Sequence, residues 1–163
     1  MASGSLGKKF EDQFKENWLD TIKDSWIYRL FDTMGGYSGI ANVCDFIGFK
    51  SPLLFLIECK EHKGNTFPFS AFRQYQQMSD TYKKNITGLV AGVVLWLSDH
   101  DKVIWVPITT FDKIKSEDGK SFNIKMLDNP EYECLELPSV KKRKFLNTDY
   151  SKLIEYYEEK IRC

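Results

Sequence analysis

The apolar residues near the start of the chain recur every four positions. They are Phe10, Phe14, Trp18 and Ile22. Because an α-helix turns once in about 3.6 residues, this spacing puts the four side chains on one face. We therefore predict an amphipathic helix over residues 6–22, preceded by a short flexible lead-in of residues 1–5.

Further along the chain, apolar residues form short continuous runs bounded by turn residues, which is typical of buried strands. The predicted strands cover residues 26–31, 43–48, 53–60, 88–97 and 103–108. The second and third runs are separated by a turn at residues 49–52 and predict an antiparallel hairpin. Both faces of this hairpin are largely apolar, so we expect central strands that helices cover on both sides.

Three more helices complete the predicted order of elements. One begins with Ser70 as its N-cap, ends near Lys84 and buries one face. That face carries Phe72, Tyr75, Met78 and Tyr82. A short helix is predicted near residues 110–115 and a terminal helix over 150–161, with a polar, irregular segment between them.

The order helix, three strands, helix, two strands, helix predicts the fold class. We expect an α/β fold, a single domain over residues 1–163 with a central mixed β-sheet flanked by helices on both sides. With 163 residues, of which 42% are hydrophobic, the chain is long enough to bury a sizeable core.

Three ionisable residues lie inside the two runs of the predicted hairpin, where burial is costly unless they pair or bind a metal. Glu58 and Lys60 are two residues apart, so on a strand their side chains leave the same face. If the loop between the two strands has an even number of residues, the side chain of Asp45 leaves the same face as Glu58 and Lys60. A tight two-residue turn predicts an Asp45–Glu58 spacing of about 7–8 Å, and a slightly longer loop about 5 Å. Cys44 and Cys59 then go to the other face, with Phe46, Phe55 and Ile57.

Two acids that can hold a divalent cation, with an ammonium beside them, suit phosphodiester hydrolysis. The alternative is that Glu58 and Lys60 form a solvated cross-strand ion pair, although the apolar residues around them argue against it.

Three other features have a functional and an ordinary interpretation. Glu11, at the edge of the apolar face of the first helix, could point toward the sheet or into solvent. Gln76 lies near the buried face of its helix and could orient a water or phosphate, or simply sit at the helix border. The glycine-rich segment 35–39 could approach a phosphate or be a plain connection.

The formal net charge is zero and the sequence pI is near 6.7, so any contact with nucleic acid must come from local basic patches. The candidate DNA-binding residues are Lys8, Lys9, Arg29, Lys63, Lys141, Lys142, Arg143 and Lys144. The alternative for these residues is an ordinary solvated surface.

Four cysteines without metal-type spacing predict reduced thiols rather than a disulfide framework or a zinc site. We find no apolar signal core at the N-terminus, and the longest apolar run, residues 86–97, is too short to span a bilayer. We therefore expect a cytoplasmic protein without a membrane segment.

Several motifs together resemble the RecU-type Holliday junction resolvases, particularly the phage-encoded members, within the PD-(D/E)xK nuclease superfamily. The matching segments are residues 7–11, 43–47, 56–64 and 67–69 leading to Gln76. They cover roughly the first half of the chain. Two features differ from the cellular members: the segment before Asp45 is shorter, and Tyr75 stands where they tend to carry histidine.

The resemblance implies a restriction-endonuclease-like fold and a set of roles. Asp45 and Glu58 would bind Mg2+ or Mn2+ together with the backbone carbonyl of Cys59, and Lys60 would orient the attacking water. Gln76 and Glu11 match further catalytic positions of the family. The implied protein is a homodimeric endodeoxyribonuclease that acts on branched DNA, with a role in DNA recombination and repair. Two alternatives stay open: a general or restriction-type nuclease of the same superfamily, and a catalytically inert DNA-binding or assembly factor of the same fold.

Overall fold

The computed structural model describes residues 2–31 and 42–163, with side chains from residue 6 onward. The glycine-rich segment 35–39 lies outside the described residues. The helices are α1 (Ala2–Thr21), α2 (Tyr75–Tyr82), α3 (Ile108–Ser116) and α4 (Ser151–Arg162). The strands are β1 (Trp26–Arg29), β2 (Phe46–Lys50), β3 (Leu53–His62), β4 (Thr66–Pro68), β5 (Leu89–Leu97), β6 (Lys102–Pro107), β7 (Ser121–Asn123), β8 (Leu135–Leu137), β9 (Ser139–Lys142) and β10 (Phe145–Thr148).

A six-stranded mixed sheet runs through the described part of the chain in the order β1-β2-β3-β5-β6-β8. Strands β3 and β5 are parallel, and the other neighbouring strands are antiparallel. Two small antiparallel pairs, β4 with β7 and β9 with β10, lie outside this sheet. The parallel pair is possible because the connection between β3 and β5 contains α2, which packs on β5.

Helices cover both faces of the sheet, which confirms the predicted fold class. One apolar cluster joins α1 and α4 to one face, and a second joins α2 and α3 to the other. The alternation is clear in β3, where Phe55 and Ile57 enter the first cluster and Leu56 enters the second. Burying each such side chain stabilises the fold by about 1.5–3 kcal/mol.

The predicted face of the first helix is confirmed, and it rests on the hairpin of β2 and β3. Phe14 and Trp18 are fully buried. Trp18 lies so close to β2 that a Cβ atom on Gly48 would come within 2.9 Å of its ring. This close approach fixes α1 over the strands that precede and follow the hairpin turn.

The prediction of an irregular segment before the terminal helix is wrong, because this segment contains four short strands and one 3-10 helix. These strands are three or four residues long, too short for a repeating pattern to be visible in the sequence. The N-cap at Ser70 is also wrong. Residues Phe69–Ala71 form a separate 3-10 turn, the chain leaves helical geometry at Phe72, and the N-cap of α2 is Gln74.

Other boundaries shift by a few residues. Helix α1 begins at Ala2, earlier than predicted, and β1 ends at Arg29. Among the described residues, we find no helix with the length and apolar character needed to cross a bilayer.

Candidate active site

Asp45 lies directly before β2 and is held against β3. Strand pairing sets Phe46 opposite Ile57, so the preceding position brings Asp45 beside Glu58. The Asp45 amide donates a hydrogen bond to the Ile57 carbonyl at 3.1 Å. The carboxylate oxygen Oδ2 of Asp45 accepts one from the Cys59 amide at 2.8 Å. The first acid is therefore tied to the strand residue that separates Glu58 from Lys60.

The hairpin turn differs from its prediction in one respect. Strand pairing continues as far as Lys50 and Leu53, so the connection is only Ser51 and Pro52. A two-residue connection was expected to leave Asp45 diagonal to Glu58. Because β2 extends to Lys50, beyond its predicted end, while β3 begins at Leu53 as predicted, the register instead brings these two positions side by side.

Glu58 and Lys60 form an ion pair on one face of β3. The Oε1 atom of Glu58 lies 2.8 Å from Nζ of Lys60, and the Glu58 side chain is fully buried while 28% of the Lys60 side chain is exposed. The second carboxylate oxygen, Oε2, is buried and has no hydrogen-bond partner among the described residues. An ionised carboxylate in this position is costly unless a further cation shares it.

The pKa values at the site follow from this crowding of charges. Burial and, after it, the nearby charge of Asp45 raise the pKa of Glu58 to about 7, against the opposing effect of Lys60. Burial, the largest single effect, lowers the pKa of Lys60, but the charge and hydrogen bond of Glu58 together with the charges of Asp45 and Glu11 outweigh it, so the pKa is raised overall. Lys60 therefore stays cationic at neutral pH, while Glu58 is poised between its two protonation states.

Glu11 approaches the same site from α1. Its carboxylate pairs with the guanidinium of Arg29, which also donates to Oδ1 of Asp12 at 3.1 Å. The guanidinium lies 5.9 Å from the ring centroid of Phe46, which adds a cation–π contact. Burial, followed by the charge of Asp45, raises the pKa of Glu11. Glu11 is only 22% exposed and faces the acids of the hairpin rather than open solvent.

An open cleft of about 820 Å³ brings several of the predicted residues together. Its walls include Lys8, Glu11, Arg29, Asp45 and Lys60, and the predicted metal ligand Cys59. Residues from α1, β1, the start of β2 and β3 thus meet at one end of the sheet, although they are separated in sequence.

The cleft also contains charged residues that the sequence reasoning missed. Arg73 lines it from the segment before α2, and Glu61 lines it from β3, where Ser98 donates to its carboxylate at 2.5 Å. Glu61 could have been found by continuing the strand beyond Lys60. Arg73 could not, because it lies in an irregular segment without periodicity.

Gln76 lies apart from this group. Its side chain is exposed, its amide donates to Oδ1 of Asp80 at 2.9 Å, and its carbonyl accepts from Lys115 at 3.5 Å. A different glutamine, Gln74, has a buried carbonyl oxygen without a hydrogen-bond partner among the described residues. The two residues lie at the start of the same helix, but the Gln76 side chain is exposed and hydrogen-bonded, whereas the carbonyl oxygen of Gln74 is buried.

The basic run forms the tip of the β9–β10 hairpin, and its four residues are exposed. Phe145, at the start of β10, packs against Trp96 with ring centroids 5.8 Å apart. Trp96 pairs with Glu61 in the parallel ladder. The basic run, residues 141–144, therefore lies toward the same end of the sheet as the cleft.

The predicted DNA-binding residues differ in whether their charged side chains are exposed or already paired with an acid of this chain. Lys8, Lys9 and Lys63 are exposed. In contrast, Arg29 is occupied by Glu11 and Asp12, and Lys141 pairs with Asp101 at 2.7 Å.

The two cysteines of the hairpin do not share a face, contrary to the prediction. Cys59 belongs to the cluster under α1 with Phe46, Phe55 and Ile57, but Cys44 belongs to the opposite cluster with Leu56. Cys44 precedes β2, so the alternation of the strand does not apply to it. Both thiols are reduced, and burial raises the pKa of each.

The donor set of the site fits a divalent cation through two carboxylates rather than a larger cluster. Within residues 2–31 and 42–163, no group of three or more His, Cys, Asp and Glu side chains is arranged to hold a metal ion. The observation that favours a cation is the buried Oε2 of Glu58 without a hydrogen-bond partner, next to the Asp45 charge that raises the pKa of Glu58.

The fold resembles that of solved proteins, whereas sequence comparison finds nothing. No protein-family model matches the chain, and no curated protein matches it. A similar structure is that of Hjc from Archaeoglobus fulgidus, described as a Holliday junction resolvase from an archaeal hyperthermophile. The superposition has a TM-score of 0.48 at 19% sequence identity and covers 64% of this chain and 78% of that one.

Proposed function

We propose that this protein is a metal-dependent, structure-selective DNA endonuclease that resolves four-way junctions by paired phosphodiester hydrolysis. The main observation that supports this proposal is the fully buried carboxylate of Glu58, which forms an ion pair with Lys60. Beside it lies a second acid, Asp45, whose carboxylate accepts a hydrogen bond from the Cys59 amide. A structural ion pair needs no second acid, and Asp45 makes ionisation of Glu58 harder. Acids kept together against their mutual repulsion favour a functional site.

Hard divalent cations such as Mg2+ or Mn2+ prefer oxygen ligands. We propose that Asp45 and Glu58 hold the cation, together with the backbone carbonyl of Cys59, as the family resemblance implies. When bound, such a cation supplies Lewis-acid stabilisation of the phosphate and lowers the pKa of an attacking water.

Lys60 supplies a fixed positive charge at the wall of the cleft. Because Glu58 raises its pKa, Lys60 remains protonated, and its partial exposure lets the ammonium reach a bound phosphate. In the proposed reaction it orients the attacking water and stabilises the negative charge that develops on the phosphate oxygens.

Glu11 has a supporting role in this proposal. Arg29 holds its carboxylate at the rim of the cleft, where it adds negative charge near Asp45 and so favours a cation there. A catalytic role of Gln76 rests on the resemblance alone, and its contacts with Asp80 and Lys115 do not support that role, so the proposed reaction does not depend on it.

The DNA contacts are proposed to come from local basic residues, since the net charge is zero. Exposed residues of the basic run, with Lys8 and Lys63, lie on elements that end near the cleft. Contacts of this kind bind the phosphate backbone in a salt-dependent way. The preference for a four-way junction, and the homodimer that would make paired nicks, rest on the resemblance to RecU-type resolvases.

The test compares a labelled four-way junction with a linear duplex of the same arms, in Mg2+, in Mn2+ and in EDTA. We expect symmetric paired nicks in the junction, at least about tenfold slower cleavage of the duplex, and no cleavage in EDTA. Glu58→Gln should abolish cleavage. The control, Glu136→Gln, changes a half-exposed acid that pairs with Lys102 and should behave as wild type.

Two other outcomes point to the alternatives. Equal cleavage of junction and duplex would indicate a general nuclease of the same fold. Metal-independent DNA binding without cleavage, unchanged in Glu58→Gln, would indicate an inert DNA-binding factor and would contradict the proposal.

A further inference from the structure

Arg73 brings a positive charge to the cleft from the wall opposite α1. It is exposed and lines the cleft together with Lys60 and Glu61 of β3. On the other wall, Lys8 lines the cleft from α1. Because α1 and α2 cover opposite faces of the sheet, the end of β3 lies between the two walls. A DNA strand that crosses this end of the sheet would therefore pass a basic residue on each side.

The charge of Arg73 is not used inside the chain. Two acids of α1 hold Arg29, and Glu58 holds Lys60. Within the part of the chain that the structure describes, Arg73 has no acid at ion-pair distance. Glu61 lines the same cleft, but its carboxylate accepts a hydrogen bond from a serine that follows β5. The guanidinium of Arg73 is therefore available to an anionic ligand.

The backbone at Arg73 is fixed by the residues next to it. Phe72 is only 2% exposed and packs against Phe111 of α3, with ring centroids 5.1 Å apart. The Phe72 amide donates to the carbonyl of Phe69 at 2.9 Å, and the Phe72 carbonyl accepts from the amide of Tyr75 at 3.2 Å. Because Arg73 extends from this fixed segment, less conformational freedom is lost when its side chain binds a ligand.

The chemistry of the cleft favours a phosphate as this ligand. A guanidinium presents a planar set of donors that can bind two phosphate oxygens at once. In the proposed reaction, the scissile phosphate is contacted by Lys60 and by the cation. One DNA strand carries a phosphate for about every 3.4 Å of helix axis, so a strand bound at Lys60 also brings a neighbouring phosphate to the cleft wall.

We propose that Arg73 binds the phosphate next to the scissile one on the cleaved strand and so positions that strand over Lys60. The inference rests on the proposed function and deepens it by assigning a DNA-positioning residue. Arg73 contacts no reacting atom in this arrangement, so it stabilises the bound substrate and the transition state equally. Its loss should weaken binding without slowing the chemical step of the bound complex.

The first test separates binding from chemistry. In EDTA, Arg73→Ala should weaken the binding of a fluorescent four-way junction about tenfold and lower the slope of log affinity against log salt by about one. In Mg2+, the single-turnover nicking rate at saturating protein should stay within about threefold of wild type. Arg73→Lys should keep the salt slope and recover only part of the affinity, because an ammonium cannot bind two oxygens in the same fixed geometry.

Arg162→Ala is the matched control. Arg162 is also an exposed arginine, but it lies at the end of α4 and does not line the cleft. Its replacement should leave the affinity and the salt slope unchanged. Both variants change exposed side chains, so their circular dichroism and melting temperatures should stay close to wild type.

The second test locates the contacted phosphate. Uncharged methylphosphonate groups replace the phosphates near the branch point of the junction, one at a time. In the wild type, replacement of the phosphate next to the nick should weaken binding about tenfold. In Arg73→Ala, the same replacement should have little further effect, because the two changes remove the same contact.

Three results would overturn the contact. They are equal losses of affinity in Arg73→Ala and Arg162→Ala, additive effects of Arg73→Ala at every replaced phosphate, or a loss that depends on base sequence and leaves the salt slope unchanged. The last result would assign Arg73 to a base edge. Coupling between Arg73 and one phosphate without any nicking would support the contact and contradict the nuclease function. Nicking without such coupling would contradict the contact alone, so the two proposals fail separately.

Discussion

The backbone amide of Cys59 donates a hydrogen bond to the carboxylate of Asp45 at 2.8 Å. Because Cys59 separates Glu58 from Lys60, this single contact connects the acid before β2 to the ion pair on β3. The proposed chemistry depends on this arrangement, since it brings three ionisable groups from two segments to one end of the sheet.

Asp45→Asn tests the first acid with little structural disturbance. The amide oxygen of asparagine can still accept the hydrogen bond from Cys59, so we expect the free energy of unfolding to change by less than about 1 kcal/mol. Loss of the charge should lower the nicking rate about 100-fold or more, as removal of a key electrostatic group typically does. Gel assays and urea denaturation measure the two effects. As a control, Asp12→Asn changes an acid with a 61% exposed side chain; if it lost as much activity, Asp45 would have no special role.

Glu58→Gln tests the raised pKa of Glu58 through stability. The pKa is about 7 in the folded chain against an ordinary value of 4.5, so the folded state binds more protons than the unfolded state between these pH values. Without divalent metal, the contribution of Glu58 to stability is therefore present below about pH 4.5 and is lost as pH rises to about 7. We expect Glu58→Gln to be more stable than wild type at pH 8 in EDTA, with a smaller difference at pH 5.

Urea denaturation at the two pH values measures this difference, with Glu136→Gln as the exposed control. Addition of Mn2+ should stabilise the wild type and not Glu58→Gln, because a ligand that binds only the folded state shifts the unfolding equilibrium. A wild type whose stability rises between pH 5 and pH 8 relative to Glu58→Gln would contradict the assigned pKa.

Gln76→Ala tests whether the resemblance or the observed contacts better describe this residue. Since its side chain is exposed and bonded to Asp80, we expect a nicking rate within about threefold of wild type and a stability change within about 0.5 kcal/mol. Gln74→Ala is the matched variant one half-turn away, where the carbonyl oxygen is buried. A loss of activity in Gln76→Ala as large as in Asp45→Asn would support the role that the family resemblance implies.

Replacing Lys142, Arg143 and Lys144 together by alanine tests the proposed DNA contact of the β9–β10 hairpin. These residues are exposed, so the fold should be unaffected. We expect weaker binding of junction DNA and a slope of log affinity against log salt that falls by about one for each lost phosphate contact. Fluorescence anisotropy at several salt concentrations measures both quantities. Lys152→Ala, on α4, removes a lysine paired with Glu155 and serves as the control; an equal loss there would contradict a localised contact.

Much of the fold could be predicted because its signals are local. The four-residue spacing from Phe10 to Ile22 gives one helix face, and all four side chains are buried. The apolar runs of β5 and β6 are long enough to identify as strands. The short strands from β7 to β10 could not be predicted, since three or four residues contain too little periodicity and their pairing depends on distant partners.

For the candidate site, the amino-acid sequence by itself determined that Glu58 and Lys60 share a face, because side chains alternate along any strand. It also predicted Asp45 on the same face, but left the spacing between Asp45 and Glu58 to the register of the hairpin. Only the tertiary structure decided which distant residues meet this group. The docking of α1 brings Glu11 to Arg29, and the end of β5 positions Trp96 beneath the basic hairpin. Contacts between separate elements depend on how whole faces pack, and no local pattern contains that information.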